Sequence, residues 1–206
     1  MTGMYPKLTK HIEEILLQKI SDERKAVLQP LIDFIKQKKR NQESASVNFI
    51  CTHNSRRSHF AQIWAQTASA YFKIPDIHCY SGGTETTALF PKVVETLMEA
   101  GFHIWKLNNS ENPVYAVKYS ENALPLIAFS NKYDNIFNPS TGFAAIMTCS
   151  QADGDCPFIL GAEKRIPVTF EDPKISDATP EQTRIYRERS LQIGAEMFYV
   201  FSQINH

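Results

Sequence analysis

From Val47 onward the chain alternates short apolar runs with amphipathic stretches of helical period, and this alternation restricts its fold more than any other feature. Strand-like segments fall at 47–51, 77–80, 143–148 and 165–169. Between the first two lies RSHFAQIWAQTASAYF, with Phe60, Ile63, Trp64, Thr67 and Tyr71 on one helical stripe, which reads as core. Strands separated by helices cannot close hairpins, so they pair in parallel with the helices packed on both faces. The expected fold class is therefore α/β, with a parallel sheet between helical layers. Phe90-Pro91 opens a further helix that Gly101 closes, and a last helix is expected from about Pro180 to Ile204. VYAVKY and LPLIAFS, separated by SENA, are spaced to pair as a hairpin.

Ahead of this pattern, residues 7–38 carry apolar positions at helical spacing, Leu8 to Leu16 and then Val27 to Ile35. Two helices are expected, with Ser21-Asp22-Glu23 capping the second and Pro30 kinking or restarting it. KKRNQESAS at 38–46 reads as a linker. The division is thus a helical extension over 1–45 and a main domain over 46–206. No internal repeat is visible.

Charge excludes several classes of partner. Lys+Arg and Asp+Glu number 22 each, so no global field exists to hold nucleic acid or an anionic membrane, and an anion site must be local. MTGMYPKLTKHIEE lacks the apolar core of a signal peptide, and no stretch reaches the roughly 18 apolar residues of a spanning helix. The expected setting is cytoplasmic, without membrane. Four cysteines in a chain of 206 residues make no disulfide scaffold, which turns attention to catalysis, redox work or metal.

The chemistry concentrates in C-T-H-N-S-R-R-S. Cys51 ends a strand, Arg57 begins a helix, and Thr52, His53, Asn54, Ser55 and Arg56 wrap between them. Backbone amides of such a loop converge, the helix N-terminus adds positive potential, and a guanidinium grips two oxygens of a tetrahedral oxyanion. The same field favours the thiolate, which makes Cys51 the candidate nucleophile, and Ser58 is placed to bond the sulfur.

This Cys-x5-Arg-Ser pattern resembles that of the low-molecular-weight protein tyrosine phosphatase family, and its CT-x-NS form is similar to the thioredoxin-coupled arsenate reductases that share the fold. The resemblance runs from about Val47 to the C-terminus. It implies a three-layer fold on a four-stranded parallel sheet. His53 stands where the family usually has glycine, and a non-glycine residue tolerates positive φ poorly. YSGG at 80–83 matches a second strand end. The resemblance also implies a possible potassium ion near Asn54 and Ser81, although Gln62 stands where a potassium-binding reductase has Glu; no other metal or cofactor is expected. The resemblance further implies that FEDPK supplies the general acid, Asp172, which Pro173 biases to an extended conformation.

Cys149 and Cys156, in TCSQADGDCP, look like the redox segment of the reductases. The spacing fits no zinc site. Cys79, inside a strand, reads as a small buried hydrophobe. The resemblance implies that Cys51 attacks arsenate, Cys149 releases arsenite by forming a disulfide with Cys51, and Cys156 passes the disulfide on to thioredoxin. Two alternatives remain: a phosphatase acting on phosphoproteins or small phosphomonoesters through a phosphocysteine, and a non-catalytic module that binds phosphorylated ligands.

Overall fold

The computed structural model describes residues 3–155 and 158–204. Its central sheet is four-stranded and parallel, in the order β2-β1-β6-β7. These strands are β1 (Ala45–Cys51), β2 (Ile77–Gly83), β6 (Phe143–Met147) and β7 (Ala162–Pro167). The expected layered α/β architecture is present. Strand β1 lies between β2 and β6, and all five residues of β6 are buried, as expected of interior parallel strands. Register places Ile50 beside Met147 and Cys51 beside Gly83, so both cysteine-bearing strand ends meet at one edge.

Helix α3 (Arg57–Tyr71) packs on the sheet beside the long helix α6 (Gln182–Ser202). Trp64 of α3 is fully buried and donates its indole N–H to Ser190 Oγ of α6 at 3.0 Å. Helix α4 (Pro91–Ala100) starts on Pro91 and ends at Gly101, whose φ of 108° is the left-handed cap expected there.

Three sequence expectations need correction and a fourth needs extension. Helix α2 (Asp22–Arg40) runs continuously through Pro30, because Leu28, Leu31, Ile32, Phe34 and Ile35 bury one face and outweigh the single lost backbone bond. The linker shrinks accordingly: Lys38, Lys39 and Arg40 form the last helical turn, where positive charge suits the helix C-terminus. Strand β7 starts at Ala162, three residues before the expected 165. The pairing of β4 (Tyr115–Lys118) with β5 (Leu126–Ala128) is present, but β3 (His103–Lys106) joins it to make a second, antiparallel sheet of order β3-β4-β5. HIWK is largely exposed and lacks a buried apolar run, so it carries no strand signature.

Helices α1 (Pro6–Leu16) and α2 bury Leu8, Ile12, Ile15, Leu31 and Ile35 in the cluster that also holds Phe49, Trp64 and Phe198. Among the described residues, no helix is long and apolar enough to cross a membrane.

Candidate active site

The loop after β1 is shaped by its carbonyls, each of which is bonded from outside. Cys51 O accepts from Thr84 N at 3.1 Å, and Thr52 O from Glu85 N at 2.8 Å and Thr84 Oγ1 at 3.2 Å. His53 O accepts from Thr87 Oγ1 and Ser130 Oγ, Asn54 O from His59 Nε2, Ser55 O from Phe90 N and Arg56 O from Phe60 N. In a trans peptide the N–H points opposite to its C=O. Six carbonyls turned outward therefore aim the amides of residues 52–57 at a common centre, at the N-terminus of α3. This is an anion cradle built from backbone.

Positive φ in the loop falls on Asn54, at 45°, and not on His53. Asparagine tolerates that region, so the loop closes without glycine at position 53. His53 instead stands on the rim, 3.4 Å from Glu85. Asn54 Oδ1 accepts from Asn131 N at 2.8 Å, which orients its amide to donate from Nδ2 to Ser58 Oγ at 2.9 Å. With that lone pair used, the Ser58 proton is free for Cys51 Sγ, 3.2 Å away. Gly83 runs so close behind the loop that a Cβ there would lie 2.4 Å from Glu85 O and 2.8 Å from both Asn54 N and Thr52 O.

Arg57 donates from Nη1 to Phe170 O at 3.0 Å and from Nη2 to Asp172 Oδ2 at 2.5 Å. Beyond β7, Val168 N bonds Met147 O and Phe170 N bonds Thr148 O, carrying the chain to the same sheet edge as Cys51. Asp172 caps the 3-10 turn Pro173–Ser176 by accepting Lys174 N at 3.0 Å, so its carboxylate is fixed from both sides. The side chain of Arg56 does not face the cradle. It bonds Tyr186 OH and Asp177 and lies 4.1 Å over the Phe90 ring, contributing to the loop through its backbone alone.

Cys149 follows β6 directly. Its Sγ lies 3.5 Å from Thr52 Oγ1 and accepts Ala152 N at 3.3 Å in α5 (Ser150–Asp155). Cys51, Cys149, Ile50, Met147 and Ile159 share one small buried cluster. Cys156 and Pro157 lie outside the described residues. Cys79 is buried, which pushes its thiol well above the usual range and leaves it inert.

The residues read as potassium contacts do not suit that ion. Both Asn54 amide atoms have protein partners, and Ser81 Oγ pairs with His59 Nδ1 at 3.2 Å. Gln62 is neutral and donates to Cys79 O. Among the described residues no three His, Cys, Asp or Glu side chains converge on a metal position.

Sequence reasoning missed His59, Asn131 and Arg189. His59 is fully buried; its Nε2 must donate to the Asn54 carbonyl at 2.9 Å, so its Nδ1 accepts from Ser81. Burial lowers its pKa to about 4 and keeps it neutral. Arg189 of α6 stands among Glu171, Arg57, Glu196 and Asp172, its pKa lowered by burial first and by Arg57 next. No motif marks these residues, because their partners are distant in sequence or lie on other elements.

Fold and site define a cysteine-centred oxyanion enzyme on a doubly wound sheet. The chain aligns with arsenate reductase of Staphylococcus aureus strain Newman at 31% identity over 128 residues, covering 62% of this chain and 78% of that protein. Arsenate reductase 2 of Staphylococcus haemolyticus is 28% identical over 131 residues, covering 64% and 80%. A low-molecular-weight phosphotyrosine phosphatase from Vibrio cholerae shares the fold with a TM-score of 0.53 at 16% identity, covering 77% of this chain and 95% of that one. An arsenate reductase in the oxidized state superposes with a TM-score of 0.51 at 19% identity, over 77% and 98%. No family model matches the chain. The chain belongs to the arsenate reductase family with the low-molecular-weight phosphatase fold.

Proposed function

We propose that the protein is an arsenate reductase that uses Cys51, Cys149 and Cys156 as a disulfide relay, with thioredoxin as the reductant in a reducing, cytoplasmic setting. The observation that carries this reading is the placement of Cys149, buried beside the oxyanion loop in the same cluster as Cys51. Phosphate ester hydrolysis has no use for a thiol there.

Arsenate enters the cradle as a phosphate-like oxyanion and competes with Asp172 for Arg57. The clamp then grips the substrate, and the released Asp172 carboxylate takes a proton from the incoming arsenate monoanion and delivers it to the departing hydroxyl. The Cys51 thiolate, stabilised by Ser58, forms an S–As bond while that oxygen leaves as water. Cys149, as thiolate, next attacks Cys51 Sγ. The S–As electron pair stays on arsenic, which is reduced from arsenic(V) to arsenic(III) and leaves as arsenite, while two thiols become one disulfide. Cys156 attacks Cys149, frees Cys51, and the Cys149–Cys156 disulfide is reduced by the dithiol of thioredoxin.

The cradle also accepts phosphate, so a phosphatase activity through a Cys51 phosphocysteine is the second reading. Lys174 and Ile175 after the acid, the latter exposed, do not build the aromatic wall that would favour phosphotyrosine.

Cys156→Ser separates the two. It changes no residue of the cradle, so aryl phosphate hydrolysis should persist within about a factor of three. Arsenate should yield a single equivalent of arsenite, with peptide mapping finding Cys51 joined to Cys149. Turnover of arsenate at the parent rate would remove Cys156 from the relay. Failure of both proteins to reduce arsenate, with phosphate esters still cleaved, would establish the phosphatase.

A further inference from the structure

Arg24 links the helices ahead of the sheet to the segment that carries Asp172. Arg24, in the first turn of α2, pairs with Glu196 of α6 through two bonds, Nε to Oε1 at 3.0 Å and Nη2 to Oε2 at 2.6 Å. Glu196 is 2% exposed and also accepts from Gln192. The fork thus fixed places the Arg24 guanidinium carbon 5.2 Å from the centroid of the Phe170 ring. Phe170 is 5% exposed, and its carbonyl holds Arg57 Nη1, two residues ahead of Asp172.

We infer that Arg24 is a positioning residue of the active site: by clamping the Phe170 ring against α6 it fixes the carbonyl that orients the Arg57 guanidinium. This rests on the reading of Arg57 as the oxyanion clamp. Two constraints act on Phe170. Its amide is tied to Thr148 O at 3.1 Å, and its ring lies under the planar cation, an arrangement in which guanidinium and aromatic face attract. Removing the cation leaves the ring held on one side. The carbonyl can then rotate about the tethered amide, and Arg57 loses the acceptor that aims it. Arg24 precedes the loop by 27 positions in sequence, and the route between them runs through space: Arg24 to the Phe170 ring, then the Phe170 carbonyl to Arg57.

The test is inorganic phosphate binding by titration calorimetry on the full chain, with thermal melting measured alongside. Three variants are compared: Arg24→Ala, Arg24→Ala with Glu196→Gln to remove the stranded buried charge, and Phe170→Leu, which keeps the ion pair. Each should weaken phosphate binding about five-fold, the size of a coupling transmitted through packed neighbours. Arg24→Lys keeps a cation but neither the fork to Glu196 nor the planar stack, and should recover only part of that loss. If the variants melt earlier yet bind phosphate within two-fold of the parent, about 0.4 kcal/mol, Arg24 is structural and the inference fails. Should Arg24→Ala not fold, the other two variants decide by the same measure. Absence of phosphate binding in the parent itself would overturn the clamp reading and this inference with it.

Discussion

The imidazole of His59 ties the oxyanion loop to β2, and it does so only while neutral, since Nδ1 must accept from Ser81 as Nε2 donates to Asn54. Its pKa falls from 6.5 to about 4 in the folded protein. Between these values the unfolded chain binds the extra proton, so stability is complete above about pH 6.5 and declines as pH falls towards 4. The loss between pH 7 and pH 5 should be on the order of 2 kcal/mol. Urea unfolding at the two pH values checks this, and His59→Gln should flatten the difference. Gly83 offers a second test at this scale. A methyl group there meets only backbone, Glu85 O at 2.4 Å and the loop atoms of Asn54 and Thr52 at 2.8 Å, so the loop must move. Gly83→Ala should cost about 1–3 kcal/mol of stability and weaken phosphate binding roughly ten-fold. Unchanged phosphate affinity would mean that the loop absorbs the methyl without losing its amide convergence. The meeting of Cys51, Arg57 and Asp172 at one end of the sheet was legible in the sequence because the cysteine loop and the Asp-Pro pair each follow a strand. His59 and Asn131 were not, since only the fold brings a buried imidazole and an amide 77 residues away onto the same asparagine.

Helix α5 is short, six residues, and holds Gly154 in its interior, so little beyond tertiary contacts keeps it helical. One such contact is the ion pair from Arg165 of β7 to Asp153, 2.7 Å long. Along a helix, the seven steps from position 149 to 156 would hold the two Cα atoms about 10 Å apart, beyond the roughly 7 Å that a disulfide spans. A Cys149–Cys156 disulfide, the second of the proposed relay, is thus incompatible with a helical path between the two, so its formation should open α5 and break this ion pair. Arg165→Gln should speed Cys149–Cys156 disulfide formation about two- to five-fold, the scale of a partly exposed pair. Quenched-flow alkylation with mass analysis reads the rate. An unchanged rate would show that opening of α5 does not limit the step. The existence of the interior strands and long helices was plain from periodicity, whereas their ends were not. Lys38 to Arg40 look like a polar linker in sequence, yet they complete α2 because its buried face, begun at Leu28, propagates the helix past the last apolar residue. Strand β3 escaped notice for the opposite reason, being made by pairing with β4 and not by an apolar run of its own.

At the scale of the molecule, the helices before residue 45 could be a detachable appendage or part of the body that holds the site. Their packing favours the second. Leu8, Ile12, Ile15, Leu28, Leu31, Ile32, Phe34 and Ile35 are each 3% exposed or less and belong to the same cluster as Trp64 and Phe198, with no separate core of their own. Gly194 of α6 lets Ile15 approach so closely that a Cβ would lie 2.9 Å from its methyl, and Glu196, two residues on, takes Arg24 as its counter-ion. Burial of each such apolar side chain contributes about 1.5–3 kcal/mol, and a stranded buried charge costs about 3–5 kcal/mol. Against a total stability on the order of 5–15 kcal/mol, uncovering α6 where α1 and α2 pack on it should be decisive. A chain beginning at Ala45 should therefore show no cooperative melting transition and no phosphate binding. Adding a peptide of residues 3–44 in trans should restore part of both if the remainder keeps its sheet. Calorimetry and circular dichroism on the truncated chain, alone and with the peptide, make the comparison. A truncated protein that melts cooperatively and binds phosphate with parental affinity would show the helices to be an accessory, and would also remove the route from Arg24 to Arg57.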